Sequence, residues 1–143
     1  MNSPTTSLPA VGFIGTGIMG KSMASHLLKA GYPLHLFNRS PEKAKVLLEQ
    51  GAIWHSSPKE LAAQCDVVIT IIGYPKDVEE VYLGVDGILA GAKPNCIAID
   101  MTTSSPALAV RIAQLAREHQ VFVLDAPVSG GDIGARDARL SIM

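Results

Sequence analysis

Gly15, Gly17 and Gly20 are spaced G-x-G-x-x-G at the end of a short apolar run, Val11 to Ile14, and just ahead of a helical pattern carrying Met19, Met23, Leu27 and Leu28. That arrangement is a dinucleotide-binding fingerprint, and each glycine has a task in it. Gly15 makes the tight turn out of the strand, Gly17 lets the backbone approach a pyrophosphate, and Gly20 lets the helix pack on the sheet. Thr16, Ile18 and Met19 fill the positions between. The pyrophosphate would rest on the free N–H groups at the helix N-terminus, where the positive end of the dipole favours an anion. A glycine-rich structural turn is the alternative, since 13 glycines in a short chain produce chance spacings. Context argues for the fingerprint. The helix stops at Ala30-Gly31, and a second strand, Pro33 to Phe37, completes β-α-β within about 30 residues.

The end of that second strand bears on cofactor choice. Chains that prefer NAD place an acidic residue about 20 residues beyond the glycines to bind the ribose 2′-hydroxyl. Asn38-Arg39-Ser40 stands there instead. A carboxylate would repel the 2′-phosphate of NADP, whereas Asn38 and Ser40 can donate hydrogen bonds and Arg39 can pair with the phosphate and cover the adenine. NADP(H) is therefore the preferred cofactor, with NAD(H) possible as the weaker ligand; one charge-assisted hydrogen bond corresponds to about ten- to a hundredfold. Ser40-Pro41 also reads as an N-cap and first helical residue, and the two readings are compatible.

These groups must be positioned by a sheet. The remaining chain alternates strands with helices: a helix over 41–50, a short strand over 52–55, a capping box at Ser57 and Glu60 opening a helix to about Gln64, an apolar strand over 67–72, a helix over 77–83, a helical turn over 87–91, a strand over 96–100, a helix from Ser105-Pro106 to Glu118, and a strand over 121–125. This predicts an α/β fold: a Rossmann-type doubly wound, mostly parallel sheet with helices on both faces. Ligands in that fold sit at the carboxyl ends of the strands. Gly73-Tyr74-Pro75, Met101-Thr102-Thr103-Ser104 and Ala126 to Gly131 follow strand ends and should line one crevice. Within the last, Ser129, Gly130 and Gly131 offer a hydroxyl and consecutive backbone N–H groups, a nest for a carboxylate, although Ser-Gly-Gly also reads as a plain flexible turn.

Composition sets bounds. The 143 residues suit one domain, are 48% hydrophobic and only 5% aromatic, and carry a net charge of −1. No Lys/Arg stripe points to nucleic acid, and no apolar run is long enough for a membrane span. Residues 1–9 are polar and read as a short disordered leader without signal-peptide features, with 10–143 as the dinucleotide-binding domain of a cytoplasmic protein. Cys65 and Cys96 read as buried thiols. His26 on the solvent-leaning side of the first helix, His35, His55 and His119 lack carboxylates at metal spacing, so no metal site is expected. Glu42, Lys43, Lys45 and Glu49 look like an ordinary solvated helix face.

Taken in order, G-F-I-G-T-G-I-M-G-K-S-M-A-S-H-L, N-R-S and D-A-P-V-S-G-G-D-I-G-A resemble the N-terminal domain of the β-hydroxyacid dehydrogenase family, which includes 3-hydroxyisobutyrate dehydrogenase and its glyoxylate and succinic semialdehyde reductase relatives. The resemblance runs from Leu8 to Met143. It implies that Gly15, Thr16, Gly17, Ile18 and Met19 contact the pyrophosphate, that Asn38, Arg39 and Ser40 contact the adenosine phosphate, and that Thr102 lies on the nicotinamide side; Gly73, Tyr74 and Pro75 are assigned to the cofactor by their place after a strand end. Ser129, Gly130 and Gly131 would hold the carboxylate of a small-molecule substrate. Asp125 reads as a structural anchor.

Two departures stand out. The family usually continues G-A-x-x-G-T-L, whereas Ala138 and Arg139 here replace a glycine and a threonine. If that position needs positive φ, alanine strains the loop by on the order of 1 kcal/mol. Family members also carry a second, mostly helical domain with a catalytic lysine, whose motifs do not occur in this sequence; Lys21 belongs to the glycine loop and takes no such role. The resemblance thus implies a chain that binds NADPH yet turns over negligibly by itself, with no catalytic residue of its own. Leu140, Ile142 and Met143 would begin a strand with nowhere to continue, which favours self-association into a homo-oligomer. Two rivals remain at this level: an imine reductase-like domain, which shares an N-R-[ST] strand end, and a non-enzymatic dinucleotide-binding or assembly module.

Overall fold

The computed structural model describes residues 7–103 and 105–143, so most of the expected leader, and Ser104, lie outside the described residues. Six parallel strands form the main sheet: β1 (Val11–Ile14), β2 (Leu34–Phe37), β3 (Ile53–Trp54), β4 (Val67–Thr70), β5 (Ile97–Asp100) and β6 (Phe122–Asp125). Their order is β3-β2-β1-β4-β5-β6. The chain therefore winds outward from β1 in one direction, returns to β4 and winds outward in the other. The carboxyl ends of β1 and β4 flank the reversal, where an α/β sheet opens a crevice.

Alternation along β1 sorts the core into two faces. Val11 and Phe13 pack with Ala24 of α1 (Ile18–Lys29) and Leu47 of α2 (Lys45–Glu49). Ile14 faces the opposite layer, with Leu61 of α3 (Pro58–Ala63), Tyr82 of α4 (Pro75–Leu83), Ile88 of α5 (Ile88–Gly91) and Ile112 of α6 (Pro106–Glu118). Helices thus cover both faces, as the sequence predicts. Cover is incomplete over β6, where Phe122 and Leu124 are exposed while Val123 packs inward.

Local punctuation explains the boundaries. After α1 the N–H of Tyr32 donates to the Leu27 carbonyl and that of Gly31 to Leu28, with Gly31 at φ +96°, which is a Schellman stop. Ser57 Oγ accepts from Glu60 N at 3.1 Å, but the Glu60 carboxylate accepts from Ser56 N and Oγ rather than from Ser57 N, so the expected capping box closes one residue early.

Three expectations on elements change. The helix predicted over 41–50 is split into a 3-10 turn at Pro41–Ala44 and the short α2; Ser40 holds the N-cap position but its side chain makes no cap bond. Strand β4 ends at Thr70, two residues early: the Ile71 N–H still donates to the Ile14 carbonyl, but that of Ile72 turns to the Thr102 hydroxyl, and α4 starts at Pro75, so Gly73-Tyr74 leads directly into a helix. The segment after β6 is more than a loop: β7 (Val128–Ser129), α7 (Gly131–Arg136) and β8 (Ser141–Ile142) follow in sequence. Ile142 pairs with Val128 and Ser141 with Ser129 in an antiparallel ribbon, and the Met143 N–H donates to the Pro127 carbonyl. The strand expected to have nowhere to continue is therefore paired within the chain.

Candidate functional site

Two of the three fingerprint glycines are required by the protein itself. Gly15 leaves β1 at φ +103°, its N–H donates to the Phe37 carbonyl at 3.2 Å, and a Cβ there would collide with the Ile71 carbonyl. A Cβ on Gly20 would collide with the Gly15 carbonyl, so helix α1 sits directly on the turn. Gly17 is different. Its φ is −70° and a Cβ would meet nothing within 4 Å. Neither backbone strain nor packing explains it, so the bare backbone faces open space at the N-cap of α1. That helix has no side-chain cap and no acidic residue in its first turn, which leaves N–H groups of Ile18, Met19 and Gly20 free for an anion. Thr16 is 2% exposed, and its hydroxyl is a buried polar atom without a hydrogen-bond partner in the structure.

Asn38 ties this loop to the end of β2. Its Oδ1 accepts from Thr16 N at 3.3 Å and its Nδ2 donates to the Ser40 carbonyl at 3.0 Å. The amide expected to donate outward is thus engaged in clipping two strand ends together. A cavity of about 560 Å³ opens beside it, walled by Gly15, Phe37, Asn38, Arg39, Ser40 and Lys43 on one side and by Ile72, Gly73, Asp77, Glu80 and Val81 on the other. Gly73 reaches this cavity, whereas Tyr74, 72% exposed, and Pro75 are outside its wall. Lys43 was read as part of a solvated helix face. Folding of the 3-10 turn places it on the cavity wall three residues after Ser40, so the signal was its spacing within one helical turn of the Asn38-Arg39-Ser40 strand end.

Thr102 is buried at the base of a polar chain. Its Oγ1 accepts from Ile72 N at 2.9 Å, and its own N–H donates to Asp100 Oδ1, which also accepts from Thr70 Oγ1. Tyr82 hydroxyl and Thr70 hydroxyl are 3.0 Å apart. Burial pushes the Asp100 carboxyl above its ordinary range, against the pull of hydrogen bonds from Thr102 and Thr70. This chain locks the ends of β4 and β5 together and fixes where Thr102 stands.

Of the three strand-end segments, Gly73 lines the first cavity, and the described residues of the other two do not. The ends of β5 and β6 contribute Asp100, Leu124 and Asp125 to a second hollow of about 280 Å³, walled by α6. Ser129, Gly130 and Gly131 line neither. They form the entry to α7, with Gly130 at φ +136° as N-cap and Gly131 at φ +63°. Leu140 packs against Gly130 and Gly134. Helix α7 lies along α1, and the contact is tied by His26, whose Nε2 is 2.9 Å from the Ala135 carbonyl and 3.0 Å from that of Arg136. His26 is therefore no solvent-leaning residue, because it donates to carbonyls at the C-terminus of α7.

His35 Nδ1 and His55 Nε2 are 2.8 Å apart with stacked rings; burial lowers the pKa of His35, helped by His55, and burial lowers that of His55, opposed by Glu60. Cys65 and Cys96 are buried and unpaired, and burial pushes the Cys65 thiol up to about 12. Among the described residues no group of three or more His, Cys, Asp or Glu is placed to hold a metal, and no helix is long and apolar enough to cross a membrane.

Comparison with known proteins agrees with this geometry. Residues 10–143 match the family model described as the NAD binding domain of 6-phosphogluconate dehydrogenase. An oxidoreductase of Bacillus subtilis (strain 168), YkwC, whose role is uncharacterised, is 56% identical over 133 residues, covering 93% of this chain and 46% of that protein. The structure of Mycobacterium tuberculosis 3-hydroxyisobutyrate dehydrogenase with L-serine superposes with TM-score 0.88 at 35% identity, over 95% of this chain and 46% of that one. Psf3, solved in complex with NADP+ and 2-OPP, superposes with TM-score 0.87 at 33% identity, over 93% of this chain and 47% of that one. The chain spans about half the length of the relatives it matches. It belongs to the family of the NAD binding domain of 6-phosphogluconate dehydrogenase, and within that family it is 3-hydroxyisobutyrate dehydrogenase-like.

Proposed function

We propose that this chain is the NADP(H)-holding part of an oxidoreductase that moves a hydride between nicotinamide and a small 3-hydroxy acid or semialdehyde. One observation carries the cofactor choice. The end of β2 presents Arg39 and Lys43, with Ser40 between them, on a single cavity wall, where an NAD-selective chain has a carboxylate. Two cations and a hydroxyl suit a 2′-phosphate. The residues present fit a dinucleotide. An unpartnered Thr16 hydroxyl, an uncapped α1 and a glycine at 17 that packing does not require converge where a pyrophosphate would rest.

The cofactor supplies or accepts the hydride; the chain binds and orients. In this reading Ile18, Met19 and Gly20 donate backbone N–H groups to the pyrophosphate, and Thr102 borders the nicotinamide. Ser129, Gly130 and Gly131 receive the substrate carboxylate at the entry to α7. The 2.9 Å bond from His26 ties the far end of α7, at Ala135, to α1. Hydride transfer to a carbonyl needs a proton donor for the developing oxyanion. None of the residues assigned here is a lysine, histidine or tyrosine beside the reacting carbon, so this segment by itself contributes binding and not proton transfer. Exposed Phe122 and Leu124 on β6 support association with further protein, a homo-oligomer in this reading.

Calorimetric titration with NADPH and NADH tests the central claim. Binding to NADPH should be tighter by about ten- to a hundredfold, and Arg39→Ala should erase most of that difference. Equal affinities, or a ratio indifferent to Arg39→Ala, would reject it.

A further inference from the structure

The cavity wall facing Arg39 is acidic. Arg39 Nη2 lies 2.6 Å from Asp77 Oδ1 and 3.8 Å from Glu80 Oε2, so the guanidinium at the end of β2 reaches across the cavity to α4. The two ends of this bridge differ in setting. The Arg39 side chain is 68% exposed and the Asp77 side chain 16%. The arginine is free to swing, whereas the carboxylate is held in the wall by the first turn of its helix.

We propose that Asp77 is a specificity-determining residue that competes with the cofactor's 2′-phosphate for Arg39. This rests on the NADP(H) reading above. A carboxylate and a phosphate monoester offer a guanidinium the same pair of charged oxygens, so each satisfies the donors the other would use. Binding of NADP(H) requires Arg39 to leave Asp77 or to be shared with it. In the first case the Asp77 carboxylate, 16% exposed while Arg39 lies against it, loses that partner and faces a phosphate of like charge. In the second, each partner receives a weaker bond. NAD(H) incurs neither penalty, since its 2′-hydroxyl is neutral and can donate to a carboxylate. Among the described residues, Lys43 supplies the only other cation on that cavity wall. Asp77 thus narrows the preference that Arg39, Ser40 and Lys43 create, and Glu80, farther away and exposed, does so more weakly.

The test is titration of the full chain with NADPH and with NADH, comparing Asp77→Asn, Arg39→Ala and the double variant, each first checked for folding by circular dichroism. Asp77→Ser, compatible with a first helical turn, replaces Asp77→Asn if the latter folds poorly. Asp77→Asn should bind NADPH about three- to tenfold tighter at low salt and bind NADH within about twofold of the parent. The gain should shrink as salt rises and vanish in the Arg39→Ala background. An Asp77→Asn variant whose NADPH affinity is unchanged or lower, while Arg39→Ala still selectively weakens NADPH, overturns the competition and leaves the cofactor assignment standing. Equal weakening of both nucleotides by Asp77→Asn also overturns it, placing Asp77 on the shared adenosine. An Arg39→Ala variant with an unaltered NADPH to NADH ratio removes the cofactor assignment itself, and the competition with it.

Discussion

Two of the glycine-containing turns that introduce helices, those before α1 and α7, are held in different ways. The Gly15–Gly20 turn is clamped from inside the sheet: Gly15 lies against the Ile71 carbonyl, Gly20 against Gly15, and Asn38 clips Thr16 to the end of β2. The Ser129–Gly131 turn hangs outside the sheet on a two-residue ribbon, a leucine and one histidine. The first is a rigid seat whose geometry the core over-determines. The second is a peripheral arm outside the six-stranded sheet, resting on α1 through the buried Gly134 and Ala135 of a six-residue helix, and segments built of such short elements open locally at lower free energy than a core.

That contrast can be broken most severely at the seat. Gly15→Ala combines a backbone clash with a left-handed φ, and should destabilise the chain by about 3 kcal/mol or more, read as a fall in the urea midpoint. Gly17→Ala, which meets nothing within 4 Å, should leave that midpoint nearly unchanged while weakening nucleotide binding. If the two substitutions cost equal stability, the distinction between a packing glycine and a ligand-facing glycine fails.

At the arm, His26→Ala leaves the Ala135 and Arg136 carbonyls without their side-chain donor, a loss of about 1–3 kcal/mol. Hydrogen exchange should locate it. Amides of α7 and β8 should exchange faster while those of β1 and β4 keep their protection. Uniform acceleration across the sheet would show that α7 is part of the core cooperative unit.

The smallest effect is a gain. Ala138 sits at φ +55°, the left-handed region where the related pattern has glycine. Ala138→Gly should raise stability by about 1 kcal/mol, visible as a shift in thermal midpoint. No gain would mean that the arm relaxes freely around the strain.

Residue order alone determined the β-α-β fingerprint, the strand order's alternating pattern, the helix stop at Gly31 and the Asn38-Arg39-Ser40 strand end, because each is written in neighbouring residues: period, cap and turn chemistry act over a few positions. The short elements were harder to read. The segment 128–142 has too few residues per strand to show a period, and Ile142 finds Val128 only once α7 has brought the chain back. His26 looked solvent-facing because its partners are more than a hundred positions away. Asp77 was invisible as a cavity residue for a similar reason, since Arg39 reaches it only after β2 and β4 are set on either side of β1 and α4 folds over the opening. Local sequence decides which turns and helices can form. Which side chains face each other across a crevice is decided by sheet order, a property of strand pairing between distant segments that no single stretch of chain contains.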